Sequence, residues 1–187
     1  MKTTRRCALL PVLALLSLPL AAQWDDGPGE VPYVPTPQAV VNAMLKLAGV
    51  AKGEVMYDLG CGDGRIVITA AKEHGAHGTG VDINPERIKE AEDNARKAGV
   101  EKRVKFIEKN LFEADFHDAD VVTLYLLPDV NLRLRPRLLK QLKVGARIVS
   151  HSFNMAEWEP DQKIEAEGRS LYLWKVTEKA KQQYGGE

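Results

Sequence analysis

Val55-Met56-Tyr57-Asp58-Leu59-Gly60-Cys61-Gly62-Asp63-Gly64, continued by Arg65-Ile66-Val67-Ile68-Thr69-Ala70-Ala71, decides how this chain reads. An apolar run carrying one acid gives way to glycines at alternate positions and then to apolar residues at helical spacing: strand, tight turn, helix. Such a turn needs glycine, because a residue without Cβ takes positive φ freely and lets a ligand lie on the backbone. The following helix offers free N–H groups to the same ligand. The loop therefore predicts a site for a nucleotide-containing cofactor. Its spacing is G-x-G-x-G, unlike the G-x-G-x-x-G of dinucleotide folds. Asp58, two residues before the first glycine, would repel a pyrophosphate and attract the ammonium group of an amino acid. A glycine turn with no ligand is the bland alternative.

Downstream, Gly78-Thr79-Gly80-Val81-Asp82-Ile83-Asn84-Pro85 predicts a second strand ending in an acid, 82 − 64 = 18 positions beyond Gly64. In a doubly wound sheet that strand end lies beside the first glycine loop, where the Asp82 carboxylate can accept from both ribose hydroxyls. Asn84 and Pro85 then start a helix with Ile88, Ala91, Ala95 and Ala98 on its buried stripe, ending at Gly99. Val104 to Ile107 is a third strand and Ala119 to Tyr125 a fourth, apolar almost throughout as central parallel strands are. Asn131 to Lys143 repeats leucine at 134, 138 and 142, a helix that Pro136 kinks or restarts. Gly145 to Phe153 is a fifth strand. Ile164 to Ala166 and Leu171 to Val176 lie too close for a parallel crossover and must pair antiparallel. Upstream, Thr36 is a good N-cap with Pro37 at the first position of a helix carrying Val40, Met44 and Leu47 and ending at Gly49. The arm before it, with Tyr33 and Thr36, can fold over the glycine loop.

The 187 residues, 44% apolar and 28% charged, suit one domain with a well-buried core. Twenty-six basic against 26 acidic side chains, with no long basic cluster, make nucleic acid a disfavoured partner. Two cysteines suggest no disulfide framework, and Cys61 reads as a small residue fitting a crowded turn. Lys2, Arg5 and Arg6 precede an apolar run from Ala8 to Ala22, and no acid occurs before Asp25. This pattern predicts a secretory signal peptide over residues 1–22 and a periplasmic or envelope location. Thr4-Arg5-Arg6 hints at twin-arginine export. A mitochondrial targeting segment, or a membrane-anchored precursor facing the cytosol, is the alternative. The remaining divisions are an extended arm over 23–36, the main domain over 37–178 and a polar tail over 179–187.

Asp58-Leu59-Gly60-Cys61-Gly62-Asp63-Gly64 resembles the first motif of class I S-adenosylmethionine-dependent methyltransferases, and the order of elements is similar to their fold. That resemblance covers about Tyr33 to Val176. It implies an α/β, Rossmann-like doubly wound seven-stranded sheet with a C-terminal antiparallel hairpin. A narrower set of motifs looks like the mitochondrial protein-lysine methyltransferases of the ATP synthase c-subunit and adenine nucleotide carrier type. It comprises Tyr33-Val34-Pro35 before the first helix, Asp63-Gly64-Arg65-Ile66-Val67 after the loop, Leu126-Leu127-Pro128, and Gly145 to Ser150 with Phe153 and Trp158 beyond. Departures are Cys61 for serine, Asp82 for glutamate and Asn110 for an acid. Carried over by position, Asp58 lies near the methionine part of S-adenosyl-L-methionine, and Gly60, Gly62 and Gly64 form its floor. Asp82 takes the ribose, Ile83 and Leu111 flank the adenine, and Asn110 accepts at its edge. The lysine acceptor, on a protein that can be membrane-associated, rests on this resemblance.

No Asn-Pro-Pro-Tyr follows the fourth strand, which disfavours planar amides and base nitrogens as acceptors, and no metal cluster accompanies the expected pocket. His151 is the histidine nearest a strand end on the cofactor side and the candidate proton acceptor. It reads equally as an incidental strand-end residue. Tyr125 lines a methyl-transfer channel or packs under a helix. A small-molecule methyltransferase, an aminopropyl transferase, a non-catalytic S-adenosylmethionine-binding module and, more distantly, an NAD-dependent oxidoreductase remain as rivals.

Overall fold

The computed structural model describes residues 31–186, so the segment read as a signal peptide and most of the arm lie outside the described residues. Seven strands form one sheet in the order β3-β2-β1-β4-β5-β7-β6. These are β1 Val55–Leu59, β2 His77–Asp82, β3 Val104–Glu108, β4 Val121–Leu124, β5 Arg147–His151, β6 Gln162–Ala166 and β7 Arg169–Lys175. β3, β2, β1, β4 and β5 run parallel, while β7 pairs antiparallel with both β5 and β6. The doubly wound sheet with its terminal hairpin is as expected.

Side chains alternate between the two faces, as strand geometry requires. Met56, Val121, Val149, Leu171 and Leu173 join Val40, Met44, Leu45, Ile66 and Val67 in one core cluster. Those helical residues come from α1 (Gln38–Ala48) and α2 (Arg65–Thr69). Tyr57, Val122, Leu124, Ile148 and Trp174 pack on the other face with Leu134, Leu138 and Leu139 of α4, Pro128–Gln141. α3, Pro85–Ala98, buries Ile88, Ala91 and Ala95 and is capped by Asn84, whose side chain accepts from Glu86 N at 2.8 Å. Pro136 sits inside a continuous α4 and starts no second piece.

Two expectations are corrected. The stretch read as a polar tail forms α5, Glu178–Tyr184, capped by Thr177, with Ala180 buried. Tyr184 stacks on Trp158 at 6.0 Å between centroids, and the Arg135 guanidinium lies 5.5 Å from the Tyr184 ring centroid. A seven-residue helix shows little periodicity of its own, and long-range aromatic packing stabilises it. Thr36 does not cap α1, because its hydroxyl turns inward to His151 and the backbone of Pro37 opens the helix instead.

Neighbouring β1, β2 and β4 present their C-terminal ends at one place. Strand order reverses there, between β1 and β4, and such a switch point opens a crevice for ligands. Register sets Asp58 beside both Gly80 and Thr123. Among the described residues, no helix is long and apolar enough to cross a membrane.

Candidate active site

A cleft of about 530 Å³ opens at this switch point, lined by the arm, the glycine loop, the segments that follow β2, β3, β4 and β5, and residues of α2, α3 and α4. The loop turns tightly because Gly60 N and Cys61 N both bond Val81 O, at 2.8 and 3.0 Å. Gly62 has φ +51°, and a Cβ there would lie 2.4 Å from the Tyr33 ring. The arm rests directly on the loop, so a side chain at Gly62 would lift it.

Asp58 is buried beneath the loop and accepts from Thr123 Oγ1 at 2.8 Å. Burial, opposed by the Thr123 hydrogen bond and helped by Asp82 and Asp63, pushes its carboxyl up to about 7. No cation among the described residues pairs with it by hydrogen bond or ion pair, which leaves a carboxyl placed to gain from an incoming ammonium group. The Asp82 carboxylate is oriented by two backbone donors, Gly62 N at 2.8 Å and Asn84 N at 3.0 Å. Each oxygen keeps a lone pair, enough for two ribose hydroxyls. Asn110 caps the 3₁₀ turn Leu111–Glu113 through Phe112 N at 3.0 Å, so its oxygen offers one remaining acceptor site at the cleft edge.

The arm is held by charge as well as contact. Asp63 and Arg65 form a paired clasp, with Nε at 2.9 and 3.0 Å from the two carboxylate oxygens and Nη2 at 2.5 Å. Burial opposes the Asp63 charge, but bonds to Arg65 outweigh it and hold the carboxyl below its ordinary value. Arg65 Nη1 also donates to Thr36 O at 2.8 Å, and Arg87 sits 4.7 Å from the Tyr33 ring centroid. Asp63 and Arg65 stand in the sequence motif, but this task for them is visible only in the fold. Their signal was an acid and a base two residues apart at a helix start.

Of the residues singled out from sequence, Tyr33, Thr36, Asp58, Gly60, Gly62, Asp82, Ile83, Asn110, Leu111 and Tyr125 all line the cleft. Gly64 does not form its floor. A Cβ at Gly64 would meet Phe106 at 2.7 Å and Ala91 at 2.9 Å, so this glycine serves the packing of α2 against β3 and α3. His151 is not among the lining residues and is fully buried. It lies against Tyr125, ring centroids 3.8 Å apart, with Nδ1 3.2 Å from Thr36 Oγ1. Burial, then the charge of Arg169, pushes its pKa down to about 4. A neutral, sequestered imidazole is poorly placed to take a proton from an acceptor in the cleft. Thr123, Arg87, Val130 and Arg133 enter the site only through the fold.

A family model described as the ANTKMT methyltransferase domain matches residues 58–162, from the buried Asp58 into β6. The chain belongs to this methyltransferase family. It is 48% identical over 153 residues to a protein-lysine N-methyltransferase of Saccharolobus islandicus, covering 79% of this chain and 95% of that protein. It is 35% identical to the mouse adenine nucleotide translocase lysine N-methyltransferase, over 70% of this chain and 57% of the relative, so it spans little more than half of that protein. Among solved structures it is similar to an RNA methyltransferase from Salinibacter ruber in complex with S-adenosyl-L-homocysteine. That likeness has a TM-score of 0.77 and 53% identity, over 78% of this chain and 95% of the other. S-adenosylmethionine is the methyl donor of this family's chemistry. In this member a buried carboxyl raised by burial, a glycine turn without room for side chains and an oriented Asp82 fit that cofactor's ammonium group, a close approach to the chain and its ribose.

Proposed function

We propose that this ANTKMT-family enzyme methylates the side-chain amine of lysine on a protein. The observation that carries the reading is the wall beyond β4 and β5, made of Tyr125, Leu126, Leu127, Val130 and Phe153, with no histidine among the described residues lining the cleft. A lysine entering there lays its aliphatic stem on apolar surface, and desolvation favours the neutral amine. Bound S-adenosylmethionine supplies a methyl group already activated by its sulfonium, so no base of high strength is needed. The chain's own tasks are to align the nucleophile, exclude water and hold Asp58 and Asp82 in place. The Saccharolobus relative, matched over nearly its whole length, supports a protein acceptor.

The description of the Salinibacter structure favours RNA as a second reading. Equal numbers of basic and acidic side chains weigh against it. Incubating the enzyme with labelled cofactor and, in parallel, membrane protein, soluble protein, total RNA and small metabolites decides the matter. Label on lysine, read by mass spectrometry after digestion, supports the proposal. Label confined to RNA, metabolites or oxygen atoms overturns it. The rate should rise with pH as the acceptor lysine loses its proton, with no contribution from His151 above pH 5. Leu127→Trp should lower transfer while cofactor binding persists. We further propose, from residues 1–22, an exported enzyme whose acceptor is an envelope protein. An unprocessed, soluble cytosolic chain on fractionation would defeat this.

A further inference from the structure

His151 is a costly residue to bury for packing alone. It is fully buried and its Nε2 has no hydrogen-bond partner, an orphaned polar atom that a phenylalanine or leucine in the same space would not carry. Its surroundings suggest why an imidazole stands there. Leu124 pairs with Ser150 across β4 and β5, so Tyr125 and His151 follow side by side at the sheet's C-terminal end. Their rings stack at 29°, one face of Tyr125 on the imidazole, while Tyr125 also lines the cleft. At the edge of its ring, His151 reaches Thr36 through Nδ1 at 3.2 Å. Thr36 belongs to the arm, and the Thr36 carbonyl is bonded to Arg65, itself clasped to Asp63 of the glycine loop. One chain of contacts thus runs from cofactor loop to arm to imidazole to the wall of the acceptor channel.

We propose that His151 is a positioning residue that joins the arm to Tyr125, so that covering the cofactor and orienting the acceptor wall occur together. Its imidazole offers both a flat face for the tyrosine and a hydrogen bond for the threonine. The acceptor half of this proposal rests on the lysine reading, whereas the arm half does not.

The test uses the full chain and four variants: Thr36→Val, His151→Phe, the pair together, and His151→Ala. Release of S-adenosylhomocysteine is followed by surface plasmon resonance. Transfer is measured from labelled S-adenosylmethionine into lysines of a heat-denatured protein extract at saturating cofactor. Thr36→Val and His151→Phe should each speed release by about three- to tenfold, the range expected for one hydrogen bond, and the pair should be no faster than either. His151→Phe keeps the stacked ring and should keep most of kcat. His151→Ala loses it and should drop kcat about tenfold or more, with release no faster than in His151→Phe. A purely structural histidine would give release rates that add in the pair, or equal kcat for Phe and Ala, and either result overturns the proposal. If the wild-type chain binds S-adenosylhomocysteine yet labels no lysine, the lysine reading fails, and the release rates still decide the hydrogen bond.

Discussion

Asp58→Asn should make the ligand-free enzyme more stable at neutral and alkaline pH while removing its grip on the cofactor. The Asp58 carboxyl is buried and pushed up from 3.8 to about 7, chiefly by lost solvation. The folded state therefore binds this proton more tightly than the unfolded chain does. Between pH 3.8 and 7 the folded protein keeps a proton that the unfolded one has released, so stability falls as pH rises, and above 7 the full penalty applies. Some three pH units at 1.36 kcal/mol each give a penalty on the order of 4 kcal/mol. Asparagine has nearly the same shape, carries no charge, and its oxygen can still accept from Thr123 Oγ1. For a chain of this size the gain corresponds to roughly 8–16 °C in Tm near pH 8, shrinking toward zero near pH 4. Thermal denaturation of both proteins between pH 5 and 8 measures it, and calorimetry of S-adenosylhomocysteine binding supplies the second arm. An incoming ammonium group favours the ionised carboxylate, so wild-type binding at pH 6 should release a fraction of a proton, seen as a dependence of binding heat on buffer ionisation enthalpy. The variant should release none. A variant less stable than wild type at pH 8, or a stability difference that does not change with pH, would refute the reasoning.

Three further outcomes follow from the geometry. Gly62→Ala forces a Cβ to 2.4 Å from the Tyr33 ring at a positive φ, so S-adenosylhomocysteine affinity should fall at least about tenfold, and Tyr33→Ala in the same chain should restore part of it. Calorimetry reads both, and absence of any rescue would separate the arm from the effect. Asp82→Ala strips the partner from Gly62 N and Asn84 N along with the ribose acceptors, for a loss of about 1.5–3 kcal/mol of binding on the same instrument. NADH bound more tightly than either methionine cofactor would contradict the site's assignment. Truncation before Glu178 deletes the buried Ala180 and uncovers Trp158, and urea denaturation should register a lowered midpoint; an unchanged midpoint would mean α5 adds nothing to the fold.

Sequence alone determined the parallel sheet, its antiparallel closing hairpin and the cleft's location. Each was written locally: strand and helix periods alternate, hairpin partners stand too close for a crossover, and only glycine fits the turn after Asp58. Asp82 was legible for a similar reason, since the second strand of this topology ends beside the first glycine loop. Where a side chain points across the fold was not legible. His151 sits at a strand end in the sequence, yet register with β4 turns it against Tyr125 and away from the cleft. Thr36 has the signature of a helix cap, yet a buried imidazole 115 positions away takes its hydroxyl. Gly64 belongs to the loop's rhythm, but Phe106 and Ala91, brought in by β3 and α3, give it a packing task. α5 was missed because a short polar helix owes its stability to Trp158 and Arg135, which lie far from it in sequence. Local propensity and period are encoded over a few residues and survive in the linear chain. Burial, orientation and the raised Asp58 carboxyl arise only when distant segments exclude water together, and tertiary structure alone decides them.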